Sequence, residues 1–252
     1  MPFTLSHPAA AAPFRAIVRH DRLPLEAFVI GTLMPDVEYL LRLEPIALLS
    51  HSTRGLFLFC LPAGLLTLIL WEFLLREPVR QLFALPPGDD HAPRPSTWWM
   101  RSALALLAGS ATHVFWDAFT HRDSWGPTVL PGLHTTAITI AGVDVPWYDL
   151  LQHVSTVIGG VVVGAWLWRT LRRHGAWPAA IREPWRQRTW LALGAWAMAV
   201  ALWNAERQGM MKSVARSTIV LGRMAVGALL GAFVALVVYA LVHRMRGRWA
   251  ST

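Results

Sequence analysis

Cysteine, lysine and charge are all scarce in this chain. Cys60 is the only cysteine and Lys212 the only lysine among 252 residues, and charged residues make up 15%. A single cysteine excludes an intrachain disulfide and any cysteine-based zinc site. A soluble domain of this length rarely pairs so little charge with 54% hydrophobic residues. Composition therefore predicts an integral membrane protein. The net charge of +8 is carried almost wholly by arginine, in short clusters between apolar runs. That pattern suits loops facing anionic lipid rather than nucleic acid, so the expected partner is membrane lipid. Met1–Phe14 lacks the charged n-region and long apolar core of a secretory signal, and insertion is expected from later segments. No Gly-rich phosphate loop follows a strand, and no Gly-x-Ser-x-Gly elbow occurs. Nothing points to a nucleotide cofactor. Nothing in the sequence sets an oligomeric state.

What the chain does contain is apolar runs. Gly55–Leu75, Arg101–Phe119, Leu151–Trp168, Thr189–Trp203 and Ile219–Val242 approach or exceed the roughly 20 residues that cross a bilayer. They predict an all-α, polytopic transmembrane bundle of about five spans. Tryptophans at run ends (Trp98, Trp168, Trp190 and Trp203) suit an aromatic belt. Leu23–Leu43, interrupted by Gly31, Pro35, Asp36 and Glu38, is expected to form one or two short helices ahead of the first span. Pro86–Pro95 is expected to be a polar, proline-rich loop, and Thr135–Ile140 a short strand or extended segment. Residues 1–168 form the motif-bearing membrane domain, and 169–252 supply the remaining spans and a basic tail. Glu72 and Arg223, near span ends, are expected to snorkel, and Gly159, Gly160 and Gly164 to form a helix-packing face.

The chemistry concentrates in His113, Asp117 and His121. Four residues advance about 400° along a helix, so all three share one face. Ionisable groups at membrane depth are rare and mark sites. His113 and Asp117, one turn apart, can hold one ion. His121 lies about 12 Å of rise beyond His113 and cannot join it on a straight helix. Either the helix ends near Phe119 or Asp117 bridges two ions. Five alternating spans place Asp36, Glu38, His51, His113, Asp117, His121, Asp149 and His153 on one side, the outer side if the larger arginine set is cytoplasmic. Other readings remain open for single residues. His51-Ser52 and Asp36 suit helix caps, Asp149 can orient His153, and His7 stands alone in Ser6-His7-Pro8.

Several ordered motifs resemble a known family: Met1–Pro8, Gly31–Tyr39, His51-Ser52, His113–His121 and Tyr148–Ser155. They are similar to the bacterial membrane family called domain of unknown function 4184, over about Met1 to Trp168. That resemblance implies a bacterial inner-membrane protein and no stated activity. The order of histidines and aspartates is also similar to that of zinc-dependent phospholipases C and of membrane-bound metal-dependent hydrolases. This second resemblance implies His7, Asp36, His51, His113, Asp117, His121 and His153 as ligands of zinc or another divalent metal, with Asp117 bridging. Val157 stands where those enzymes carry a glutamate, so a one- or two-metal site is expected rather than three.

Together these readings predict a metal-dependent hydrolase of an ester or phosphodiester at the outer membrane interface, with Asp36 or Glu38 as general base. The alternative is a non-enzymatic protein whose His/Asp cluster binds or conducts a cation or proton. A closed, structural metal site is a third reading.

Overall fold

Three stretches nearly free of charge become helices long and apolar enough to cross a membrane: Thr53–Leu82, Trp147–Arg173 and Ile219–Arg246. The computed structural model describes residues 3–14, 23–87, 94–207 and 217–249. A 3-10 helix, Thr4–Ala11, comes first. It is followed by α1 (Leu25–Arg42), α2 (Thr53–Leu82), α3 (Ser96–Thr120) and α4 (Trp125–Val129). After a β-hairpin come α5 (Trp147–Arg173), α6 (Trp177–Arg182), α7 (Pro184–Glu206) and α8 (Ser217–Trp249). The mostly helical fold expected from composition is what forms, with one β-hairpin added.

Among the described residues three helices are long and apolar enough to span, against the five spans expected. The second and fourth runs are helical, as α3 and α7, with 25 and 23 residues. Neither is among the helices apolar enough to span. In α3 the reason is a polar face, since Ser102, Ser110, His113, Asp117 and Thr120 are all buried. In α7 the arginines Arg186 and Arg188 and the buried Asn204 intervene.

Leu25–Arg42 is one continuous helix rather than two short ones, with Pro35 inside it. The strand expected near Thr135 is β1 (Thr136–Ile140), paired antiparallel with β2 (Val143–Pro146). Ala141 and Gly142 turn the chain at φ 49° and 80°, a two-residue hairpin turn with both positions left-handed. Most of the Pro86–Pro95 loop, and Arg15, Arg19, Arg22, Lys212 and Arg216, lie outside the described residues.

The chain divides into two compact units. The first comprises Met1–Asp36, Leu48–Leu68 and Pro93–Leu167. Its core is built on Ala27, Phe28, Met34, Cys60, Ala105 and Leu106, all buried. A Cβ on Gly159 would meet Ser6 at 2.7 Å, whereas Gly164 faces open space. Only the first part of the expected glycine face packs, and it packs against the N-terminal 3-10 helix.

The second unit comprises Val37–Ala47, Ile69–Ala92 and Trp168–Thr252. Here α7 and α8 run close: a Cβ on Gly227 would meet the Val200 carbonyl at 2.8 Å, and one on Gly231 would meet Ala197 at 2.9 Å. Arg223 does not snorkel. It is buried and donates to Glu44 Oε1 at 2.7 Å. Glu72 is likewise held, by Arg76 at 2.9 Å. Pro78 has no N–H for the Leu74 carbonyl, and Arg244 Nε donates to that oxygen at 3.2 Å.

Candidate metal centre

A proline begins the site. Pro35 lacks an N–H, so the carbonyl of Gly31, four residues earlier in α1, loses its helical partner. The ring also crowds that turn, and the carbonyls there become available to another element. Helix α3 takes them: Ser110 Oγ donates to the Gly31 oxygen at 2.9 Å, and His113 Nδ1 lies 2.7 Å from the Thr32 oxygen. Such reach requires close backbones. A Cβ on Gly31 would collide with the Leu106 carbonyl, and one on Gly109 with the Phe28 carbonyl.

A carbonyl oxygen only accepts, so His113 Nδ1 carries a proton. Against the effect of burial, Asp36 and Asp117 push the pKa of the ring up to about 10, and a cation taking the place of the second proton would find the Nε2 lone pair. That is the arrangement of a metal-ligating histidine oriented by a backbone carbonyl. His113 Nε2 stands 3.4 Å from Asp36 Oδ1 and 3.4 Å from Asp117 Oδ2. His51 Nε2 stands 3.4 Å from Asp117 Oδ2 and 3.7 Å from Asp36 Oδ1. Candidate ligand atoms of Asp36, His51, His113 and Asp117 all lie within 4.8 Å of one another. These spacings are long for charge-assisted hydrogen bonds, which run about 2.7–2.9 Å. They match neighbouring ligands on one ion, since tetrahedral bonds of about 2.0–2.1 Å set ligands about 3.3–3.4 Å apart.

Among the described residues, five buried atoms here have no hydrogen-bond partner: His7 Nε2, Asp36 Oδ1, His113 Nε2 and both carboxylate oxygens of Asp117. Leaving one such group unsatisfied costs about 1–3 kcal/mol, more when it is charged. A cation held by Asp36, His51, His113 and Asp117 would give such atoms the partner they lack. The group can hold a metal ion.

The surrounding contacts place each ligand. Thr4 Oγ1 donates to Asp36 Oδ2 at 2.6 Å and leaves Oδ1 facing the group. The 3-10 helix that carries Thr4 is tied to α5, where Ser6 Oγ donates to the Thr156 oxygen at 2.9 Å and Phe3 N to Thr156 Oγ1 at 3.0 Å. So anchored, His7 stacks on His113 with centroids 3.6 Å apart, and its Nε2 stands 3.5 Å from Asp117 Oδ1. Burial pushes the His7 pKa down to about 4, which keeps the imidazole neutral and able to ligate at neutral pH. His51 is held through Nδ1 by Ser50 Oγ at 3.0 Å. Its neighbour Ser52 caps the following turn, accepting from Gly55 N at 3.0 Å, as the His51-Ser52 pair suggested.

His121 resolves the reach problem posed by a straight helix. Helix α3 stops at Thr120, and His121 is extended. Its Nδ1 donates to the Asp117 carbonyl at 2.8 Å and stands 3.9 Å from Asp117 Oδ2. Burial holds this imidazole below its ordinary pKa. His121 therefore closes the helix end and borders the group.

Two sequence candidates stand elsewhere. The His153 side chain is 69% exposed and pairs with Asp149 at 3.4 Å, so the group forms without it. Glu38 is engaged by Arg42, with Nε at 2.8 Å and Nη2 at 2.7 Å from Oε1. Asp36 sits within α1, so it is a member of the group rather than a helix cap. Sequence reading missed Thr4, Thr32, Ser50 and Ser110, the residues that aim the ligands. Only Pro35 signalled them, as an interruption in an apolar stretch.

A family model described as Domain of unknown function (DUF4184) matches residues 1–241. The chain belongs to that family. The match extends well past Trp168, so the family includes the C-terminal helices as well as the motif region. Neither a curated protein nor a solved structure matches the chain. The likeness to zinc-dependent phospholipases C therefore rests on the order of the His and Asp residues alone.

Proposed function

We propose that the chain is a membrane metallohydrolase that cleaves an ester or phosphodiester. The observation that carries this reading is the convergence of five buried ligand atoms without a hydrogen-bond partner among the described residues, from three separate parts of the chain, with His51 supplied by a fourth. A structural carboxylate–histidine cluster would satisfy those atoms internally. Asp36, His51, His113 and Asp117 would hold the ion, and zinc would suit this nitrogen and oxygen set. Asp117 turns Oδ2 toward His51 and His113 and Oδ1 toward His7, which supports a second ion on the His7 side.

A divalent ion bound here would supply Lewis acidity, acidifying water and polarising the ester oxygen. Asp36 accepts the proton of the attacking water, and Glu38, bound to Arg42, leaves that role to it. The water oxygen bonds to carbon or phosphorus, the bond to the leaving alkoxide breaks, and the proton ends on that leaving oxygen. His51, 21% exposed, gives the group a side open to substrate. Location in the bacterial inner membrane, with the site toward the outer face, is part of this reading and rests on the arginine distribution. The compactness of the group favours a binding centre over a proton or cation conduit, which needs a file of groups.

The test uses purified full-length chain in detergent with bis(4-nitrophenyl) phosphate and 4-nitrophenyl acetate. Turnover of at least one is expected, abolished by chelation, restored by zinc and lost in Asp117→Asn. Proton or cation flux in liposomes, without turnover of either compound, would establish the conduit instead.

A further inference from the structure

The first unit holds a cavity of about 890 Å³ between the N-terminal 3-10 helix, α3 and α5. Its walls are mainly Phe14, Phe115, Trp116, Leu151, Val154 and Ile158. The polar residues of the lining are spent on nearby backbone: Ser6 Oγ on Thr156, Thr112 Oγ1 on Gly109 and Ser155 Oγ on Gln152. One lining residue has other business. His7 faces the cavity, and its Nε2 stands 3.5 Å from Asp117 Oδ1. The cavity and the metal group therefore share a wall.

We infer that this cavity seats an acyl chain of a membrane phospholipid, which places the lipid's phosphodiester at the metal group. This rests on the metallohydrolase reading for the reaction and on the cavity alone for the lipid. A polar, water-soluble substrate would lose hydration here and find the hydroxyl protons of Ser6, Thr112 and Ser155 already donated to backbone oxygens. An alkyl chain loses nothing polar and gains apolar contact along the whole wall. The volume lies within the usual range for ligand sites, about 300–1,000 Å³. The route in is lateral. Val154 and Ile158 belong to α5, a helix apolar enough to span a membrane, and are 43% and 58% exposed while lining the cavity. Phe115 and Trp116 on α3 are exposed as well. A bilayer lipid can thus slide its tail into the cavity without crossing water.

The test is photolabelling of the full-length chain in phosphatidylethanolamine–phosphatidylglycerol liposomes that contain phosphatidylglycerol with a diazirine in one acyl chain. Adducts are expected at Phe115, Leu151 and Val154, mapped by mass spectrometry. Ala111→Trp and Val154→Trp, which fill the cavity, are expected to cut labelling at Phe115 and Leu151 about tenfold while metal content stays unchanged. Val161→Trp, on exposed α5 surface outside the lining, is expected to leave it unchanged. Equal labelling in the filled variants, or adducts spread evenly over α5, overturns the lipid seat. A chain that labels in the cavity yet binds no metal keeps the lipid seat and removes the hydrolase reading.

Discussion

His113 and Thr32 are joined across two helices by one hydrogen bond, 2.7 Å from Nδ1 to the carbonyl oxygen. That bond keeps a proton on Nδ1 and therefore leaves Nε2 as the nitrogen that can ligate. It exists because Pro35 disturbs the turn that Thr32 belongs to, and because Gly31 and Gly109 let α1 and α3 approach. The path from sequence to chemistry runs through a missing N–H.

Restoring that N–H should damage the site without touching a ligand. Pro35→Ala allows α1 to reclaim the Gly31 carbonyl, which competes with Ser110 and shifts the turn carrying Thr32. Metal affinity is expected to fall about 10–100-fold, the usual cost of losing an orienting partner. Competition titration with a zinc chelator measures it, and an affinity equal to wild type would refute the role given to Pro35.

Ser110→Ala removes the donor to a buried carbonyl. Stability is expected to drop by about 1–3 kcal/mol, with the four ligand side chains intact. Chemical unfolding in detergent reads the stability, and metal analysis of the same sample reads the site. A variant as stable as wild type would mean that the Gly31 oxygen finds its partner elsewhere.

Gly109→Leu tests the close approach of α1 and α3. The side chain would run into the Phe28 carbonyl, so the helices must separate and carry Asp36 away from His113. Loss of bound metal and a lowered thermal midpoint are expected together. Retention of both would show that the two helices tolerate a wider spacing.

Two histidines should behave in opposite ways. His153→Ala is expected to keep the wild-type metal content, since the exposed ring pairs with Asp149. His7→Ala is expected to lower the affinity, or the stoichiometry if Asp117 bridges two ions. Equal effects of the two substitutions would contradict the placement of His153.

The sequence made the heart of the site readable because His113 and Asp117 are one helical turn apart, a local relationship. It made Asp36 and His51 readable only through topology, as groups on the same side of the expected spans. Side is a coarse coordinate and ignores helix face. It admitted His153, which stands on the same expected side but outside the group, and Glu38, which Arg42 one turn away engages. The contributions of Gly31, Gly109, Ser110 and Thr4 were not legible, since close approach and inter-element hydrogen bonds are tertiary facts. The five apolar runs did become helices. Two fall short of membrane-span composition because hydropathy in α3 is lowered by the residues that build the site, and in α7 by arginines and Asn204.

The most direct measurement is elemental analysis of the purified full-length chain, wild type beside a variant carrying both His113→Ala and Asp117→Asn. A metal centre requires one or two equivalents of a divalent metal, zinc foremost, in the wild type and none in the variant. Metal-free wild type after reconstitution with zinc, or the same content in both proteins, would contradict it.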